Sequence, residues 1–150
     1  MAKLRNVRDT VEVANHASRL ELPVKAGAVI YQGAFVAIDA VGMAVPAQKA
    51  EGLRAAGRAE ETADNQNGSD GGCSVRVKRG VFIWNNTATI ADKVGEKHVL
   101  GPCYMEDDQT VTANATGASI AGTVIRVGPE GVAVEIIPVF GASGSTGAGE

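Results

Sequence analysis

Residues 71–84 constrain the fold more than any other part of this chain, because their side chains alternate between two faces with the period of a β-strand. Apolar and polar residues alternate from residue 73 to residue 78. Both faces then become apolar in residues 81–84, directly after Gly80. We therefore predict one long strand that is half-buried at its start and covered on both faces at its end.

The second apolar face of this strand carries Phe82 and Trp84, and such a face needs a cover. The cover is either another part of this chain or another chain. Phe82 and Trp84 are therefore predicted to contact the core or an oligomer interface. We expect Trp84 to be substantially buried in the assembled protein.

The composition favours an all-β domain whose core consists of small and branched side chains. Of the 150 residues, 45% are hydrophobic but only 4% are aromatic, and the 19 glycines provide frequent turns. A chain of this length is large enough for one domain that needs no disulfide scaffold.

Three short strand-like segments before residue 47 follow one another at a spacing of about eight to ten residues, which is typical of a small β-barrel or β-sandwich. Strands are predicted at residues 28–31, 34–38, 43–46, 98–105, 110–112, 119–127 and 131–139, and the last two form the clearest hairpin. Residues 47–60 fit a short helix, but Gly52 and Gly57 weaken it, and residues 53–59 fit a strand equally well.

The composition divides the chain into three parts. Residues 22–140 are predicted to form the single β-rich domain, and residues 141–150 have the Gly/Ser-rich composition of a flexible tail. Residues 1–21 are predicted to be an extended N-terminal arm with a strand-like run at residues 10–13, and such an arm adds itself to a partner. The arm residues expected to contact that partner are Leu4, Arg5, Val7, Arg8, Val11 and Val13.

The charge and the hydropathy pattern narrow the range of partners. A net charge of −3 argues against direct nucleic-acid binding, since such domains are usually basic. No stretch approaches the ~20 apolar residues that span a bilayer, so no membrane partner is expected. The first ten residues lack the apolar core of a secretory signal, and we expect synthesis in a cytoplasm.

Residue types that carry catalysis or bind metals are sparse. Cys73 and Cys103 have no CxxC partner, and we expect reduced, packed thiols. His16 and His98 are the only histidines, and His98 lies in a strand-like run where an imidazole is usually structural. The carboxylates at residues 106–108 point apart on an extended chain, which predicts a solvated turn. We therefore expect no enzyme, no metal site and no cofactor.

Several segments occur in an order and spacing that match a known pattern: residues 26–37, 42, 45–47, 80–82, 104–112, 120–124 and 131–136. Together they resemble the capsid cement proteins, also called decoration or head-stabilising proteins, of tailed bacteriophages. The resemblance covers roughly residues 22–138. It implies a β-rich domain on the outer surface of the virion, often a homotrimer. The implied partner is the major capsid protein, whose neighbouring copies are bridged in the expanded shell, and the implied place of synthesis is the bacterial host cytoplasm.

Two other functions stay open at this point. The first is a ligand-binding or glycan-binding β-barrel on a virion surface, in which an exposed Trp84 would stack on a sugar ring. The second is a hydrolase, which needs a histidine and a carboxylate that converge. His16 and His98 are its main candidates.

Overall fold

The computed structural model describes residues 3–11 and 18–136, and the second range folds into twelve β-strands and two 3-10 helices. The strands are β1 (Arg19–Pro23), β2 (Val29–Ile30), β3 (Phe35–Ile38), β4 (Ala44–Pro46), β5 (Arg54–Ala59), β6 (Ala63–Asp64), β7 (Ser74–Lys78), β8 (Gly80–Asn86), β9 (Pro102–Asp107), β10 (Thr110–Thr112), β11 (Ile120–Gly128) and β12 (Gly131–Ile136). The 3-10 helices are Ile90–Asp92 and Glu96–His98. Among the described residues, no helix has the length and the hydropathy that are needed to span a bilayer. The prediction of an all-β fold with a small barrel is confirmed.

The C-terminal half of the described chain forms a closed barrel of five strands in the order β10-β8-β12-β11-β9. The predicted hairpin is its centre, with β11 and β12 joined at residues 129–130. The barrel closes where β10 lies parallel to β8. Gly122 on β11 approaches the carbonyl of Glu135 so closely that a Cβ atom at position 122 would collide with it. This strand crossing therefore requires glycine.

The N-terminal half forms a five-stranded sheet in the order β1-β7-β5-β3-β4. The sheet curls, because Val24, directly after β1, forms a parallel bridge with Ala44 on β4. The short pair of β2 and β6 lies beside it as a separate two-stranded sheet. The buried residues that fill the interior are Val24, Ile30, Ala34, Val36, Ala44, Ala56, Ala59, Ala63, Val75 and Val77. Their small size matches the Ala-rich and Val-rich composition.

Strand β3 links the two halves because both of its faces are buried. Phe35 and Ala37 pack in the core that includes the barrel interior, whereas Val36 packs inside the first sheet. Successive side chains of a strand point to opposite faces, so a strand between two cores must be apolar at every position. The run of buried residues in β3 follows from this placement.

The prediction of one long strand across residues 71–84 is wrong. The segment consists of two strands, β7 and β8, separated by Arg79 alone. Strand β7 pairs with β1 and β5 in the first sheet, and β8 pairs with β10 and β12 in the barrel. Both strands have a period of two, so the side-chain pattern does not mark the point where the hydrogen-bonding partners change.

The face that carries Phe82 and Trp84 is covered by the chain itself. The Trp84 ring lies 4.9 Å from the Phe35 ring of β3 and 6.2 Å from the Phe82 ring, measured between centroids. Trp84 is only 5% exposed. The other face of β8 is exposed to solvent, since Val81 is 53% exposed and Ile83 is 47% exposed.

The structure also decides two predictions about secondary structure, the helix or strand within residues 47–60 and the strand at His98. Residues 54–59 form strand β5 and not a helix, because they complete the first sheet between β3 and β7. His98 lies in a 3-10 helix and not in a strand, because the Gly95 N–H donates a hydrogen bond of 2.8 Å to its Nδ1 atom. The first three predicted strands agree with β2, β3 and β4 to within two residues at either end.

The predicted arm overlaps the domain at one end. Strand β1 begins at Arg19, inside the range 1–21, and residues 3–11 form no strand. Val13 and part of the strand-like run at residues 10–13 lie outside the described residues. So does the whole predicted tail at residues 141–150.

Candidate interaction surface

The described part of the predicted arm, residues 3–11, presents large apolar side chains to solvent, and we call it the arm segment. Leu4 is 69%, Val7 94% and Val11 80% exposed. The hydrogen bond from the Val7 N–H to the Asn6 side chain, 2.8 Å long, links neighbours within the segment and does not reach the domain. Exposed apolar residues on an extended chain are typical of a segment that binds a partner.

A second surface lies on the first sheet, on the part of its barrel-facing side that the barrel leaves uncovered. Arg19 on β1 lies opposite Lys78 on β7, and Lys78 lies opposite Arg58 on β5. Directly paired residues of adjacent strands point to the same face of a sheet. We call Arg19, Lys78 and Arg58 the cationic row.

The cationic row continues the line of residues that contacts the barrel. Arg58 is paired with Phe35, and its guanidinium lies 4.5 Å from the centroid of the Phe82 ring. A guanidinium at this distance from an aromatic face is attracted by the ring. The contact ties one end of the row to the junction between the sheet and the barrel.

Glu60 is the carboxylate next to the cationic row. Its Oε2 atom accepts hydrogen bonds from Arg58 Nε at 3.0 Å and from Arg58 Nη2 at 2.7 Å. The hydrogen bond from Arg58 is the main cause that lowers the pKa of Glu60, and the charges of Arg58, Lys78 and Arg19 add to the effect. One carboxylate therefore stands beside three cations.

The remaining carboxylates on this surface are engaged elsewhere. Glu61 pairs with Arg76 at 3.0 Å, and Glu21 accepts a hydrogen bond from Ser74 at 3.0 Å. Among the described residues, Arg19 and Lys78 form no salt bridge. Like charges that face each other on neighbouring strands repel, so this pair favours an anionic group from outside.

The outer wall of the barrel carries a smaller apolar patch. Val81 and Ile83 point outwards from β8, and Ile125 on β11 is 38% exposed at a register shift of the ladder between Val124 and Arg126. A bulge re-aims side chains in this way. This patch was not predicted from the sequence, because the face with Phe82 and Trp84, and not the face with Val81 and Ile83, was identified as the one that needs a cover.

The acidic segment at residues 106–108 serves the fold. The backbone carbonyl of Asp108 accepts the Phe35 N–H at 2.8 Å, and the Asp107 side chain accepts the Gln109 N–H at 2.9 Å. Burial raises the pKa of Asp108, and the neighbouring charge of Asp107 raises it further. Among residues 3–11 and 18–136, no group of three or more His, Cys, Asp or Glu side chains is placed to hold a metal ion.

The other sequence candidates for chemistry do not converge. His98 caps its own 3-10 helix through Nδ1, and His16 lies outside the described residues. Cys73 and Cys103 are free thiols in different halves of the fold, Cys73 beside the interior of the first sheet and Cys103 in the core that contains the barrel interior.

The two thiols are expected to differ in reactivity. Burial raises the pKa of the Cys103 thiol to about 12, whereas Cys73 is partly exposed. Because the thiolate is the nucleophile, we expect one thiol of the folded protein to react with Ellman's reagent at mildly alkaline pH. The Cys73→Ser variant is expected to react only after unfolding in urea. Rapid reaction of that folded variant would show that Cys103 is accessible.

Comparisons of this chain with protein-family models, with curated proteins and with solved structures found no match. The arm segment and the cationic row are thus defined by their own geometry and chemistry.

Proposed function

We propose that this chain is a non-enzymatic capsid cement protein that binds the outer surface of a bacteriophage head and bridges neighbouring major capsid protein subunits. The observation that carries this proposal is the arm segment 3–11, which holds Leu4, Val7 and Val11 in solvent beside a compact β domain. The resemblance of the order of its sequence motifs to that of cement proteins supports the same role.

The mechanism of stabilisation follows from linkage. A protein that binds the expanded shell and not its precursor or its dissociated subunits stabilises the shell by mass action. A homotrimer would carry three arms, and the first bound arm raises the effective concentration of the other two at their sites. Weak binding by each arm is therefore sufficient for strong binding by the trimer.

The apolar patch on the barrel is the candidate contact between copies of this chain. Val81 and Ile83 supply two half-exposed side chains on β8, with Ile125 two strands away across β12. Phe82 and Trp84 were candidates for that role from the sequence, but within one chain Trp84 packs against Phe35 and Phe82 packs against Trp84.

Binding to expanded heads tests the proposal. Heads built from the cognate major capsid protein and lacking this chain are mixed with the purified protein, sedimented and heated. We expect the protein to sediment with the heads and to raise the temperature at which they disrupt. Failure to bind, or heads that resist heating equally well without the protein, would contradict the proposed function.

The role of the arm in head binding is tested separately by introducing one negative charge at either of two positions in the segment 3–11. Val7→Asp places a carboxylate at an apolar contact position, and we expect at least tenfold weaker binding to heads because burial of a lone charge costs free energy. Thr10→Asp adds the same charge at a polar position of the same segment, and it is expected to bind within about twofold of the original protein. Equal effects of the two variants would mean that charge alone and not apolar contact controls binding.

The glycan-binding alternative depends on an exposed Trp84, and the structure buries this residue. Trp84 is 5% exposed and packs against Phe35, so its face is not available to a sugar ring. No other feature of the described surface favours that alternative over the cement role.

A further inference from the structure

Strand β1 lies at the edge of the first sheet and pairs with β7 alone. The hydrogen bonds at the two ends of this pair show which residues face β7. The Arg79 N–H donates to the Ser18 carbonyl at 2.8 Å, and the Val24 N–H donates to the Cys73 carbonyl at 3.0 Å. In an antiparallel ladder, hydrogen-bonded residues alternate with residues whose backbone groups point away.

The backbone groups of Arg19 and Glu21 therefore point away from β7. Among the described strands, β4 reaches that side only at Val24, directly after β1, and none pairs there with Arg19 or Glu21, so the N–H and C=O groups of these two residues form an open edge. We call the outward side of residues 19–21 the free edge. Pro23 ends β1 and lacks an N–H, so the free edge is confined to a short stretch.

Side chains at the free edge specify the sequence of a strand that could pair with it. Leu20 and Leu22 are half-buried on the side of Val75 and Val77, and their neighbours on an added strand must be apolar. Arg19 lies on the opposite face, at the end of the cationic row. A carboxylate opposite Arg19 would extend this row with the charge that it lacks.

The arm of a second copy is a poor match for this edge. Its described segment carries Lys3, Arg5 and Arg8 against Asp9 alone, so its net charge has the same sign as the cationic row. Like charges on adjacent strands are destabilising. The charge pattern thus favours an acidic segment of a different protein.

We propose that the free edge of β1 binds an extended strand of the partner protein, with apolar residues beside Leu20 and Leu22 and a carboxylate beside Arg19. Main-chain hydrogen bonds to Arg19 and Glu21 hold the strand, and the cationic row selects its charge. This inference rests on the proposed function in taking the partner to be the major capsid protein. It differs from docking of the arm, because here the domain receives a strand instead of donating one.

A designed peptide tests the free edge without the capsid. The probe is a capped hexapeptide of alternating valine and polar residues with glutamate at the central polar position, and its control has lysine there. We expect the glutamate peptide to shift the backbone amide resonances of Arg19 and Glu21 in a saturable, salt-sensitive manner. The lysine peptide is expected to bind at least tenfold more weakly. No saturable shift with the glutamate peptide, or equal binding of both peptides, would overturn the proposal.

The Glu21→Pro variant removes an outward N–H without removing a hydrogen bond to β7. We expect it to bind the glutamate peptide at least tenfold more weakly, with a native circular dichroism spectrum. Glu21→Ala is the matched control, because it loses the same side-chain bond to Ser74 and keeps the backbone N–H. Glu21→Pro binding that equals that of Glu21→Ala would overturn the proposal.

Arg19→Glu provides a second variant should proline unfold the edge. We expect it to weaken binding of the glutamate peptide at least tenfold and to favour the lysine peptide. Arg54→Glu is the control, because Arg54 is an exposed arginine of the same sheet outside the cationic row. If Arg54→Glu weakens binding as much as Arg19→Glu does, net charge and not the row selects the peptide, and the proposal is wrong.

Head binding separates this inference from the proposed function. If the original protein binds heads and Glu21→Pro binds at least tenfold more weakly than Glu21→Ala, the partner strand belongs to the capsid. Equal head binding by the two variants would overturn that assignment, as would self-association that Glu21→Pro abolishes. If the original protein does not bind heads, the proposed function fails, while the peptide experiments still decide whether the free edge accepts a strand.

Discussion

Replacing Trp84 with alanine is expected to lower the free energy of unfolding by about 3–5 kcal/mol, the usual cost of truncating a buried aromatic side chain. The indole contacts both Phe35 of the first sheet and Phe82 of the barrel, so its removal opens a cavity where the two halves of the fold meet. Urea denaturation followed by circular dichroism measures the change.

Ile83→Ala is the matched control for that substitution. Ile83 is adjacent on β8 but is 47% exposed, and its truncation is expected to cost less than about 1 kcal/mol in the isolated chain. If Trp84→Ala were no more destabilising than Ile83→Ala, the indole would not be a core residue.

The Asn65→Asp variant is expected to be destabilised by about 3 kcal/mol or more. Asn65 is 4% exposed, and its Nδ2 atom lies 3.1 Å from the Val24 carbonyl oxygen, 3.1 Å from that of Lys25 and 2.8 Å from that of Ser69. An aspartate places a second oxygen against these three acceptors. The protein loses stability because the new oxygen repels the carbonyl oxygens, because a charge is buried, and because the carbonyl groups lose their hydrogen-bond donor.

The destabilisation of Asn65→Asp is expected to depend on pH. Burial and the surrounding carbonyls raise the pKa of the introduced carboxyl in the folded state above its value in the unfolded chain. The extra destabilisation is therefore full above the folded-state pKa and shrinks as the pH falls through it towards the unfolded-state pKa, because the protonated carboxyl can donate one hydrogen bond.

Asn67→Asp is the control for this pH dependence, since Asn67 is exposed in the same loop and undergoes the same chemical change. We expect it to cost less than about 0.5 kcal/mol across the pH range. Denaturant midpoints measured at several pH values compare the two variants. A parallel pH profile for both would show that residue 65 is not set in a buried cluster of acceptors.

The strands were predictable where a short alternating run is bounded by turn residues. Strands β11 and β12 show this clearly, because local side-chain period and local turns determine each one. Strand β5 was ambiguous, since its Ala-rich sequence suits a helix in isolation and only pairing with β3 and β7 selects the strand. Tertiary pairing overrides local propensity in such a segment.

The division between β7 and β8 was not predictable for a different reason. The alternation of residues 73–84 fixes which side chains share a face, but it carries no information about which strand lies alongside. For the same reason the alternation correctly marked Trp84 as a residue needing a cover, yet it did not identify Phe35 as that cover.

The candidate surfaces were predictable to different degrees. The arm was visible as a segment with loosely spaced apolar residues before the first regular strand. The cationic row was not, because Arg19, Arg58 and Lys78 are distant in sequence and become neighbours only through the order β1-β7-β5. The free edge likewise depends on knowing which strand lies last in the sheet.

The connection between the two halves of the fold has a mechanical consequence. The chain passes from β7 to β8 through Arg79 alone, and β3 packs in both cores, so the two halves are joined by a single residue and by a strand that they share. The arm joins this unit next to Arg19, at the start of a strand that pairs with β7 along its whole length. Tension between the arm and the barrel therefore acts at one end of this ladder, where the Arg79 N–H donates to the Ser18 carbonyl, and it loads the hydrogen bonds between β1 and β7 one after another from that end.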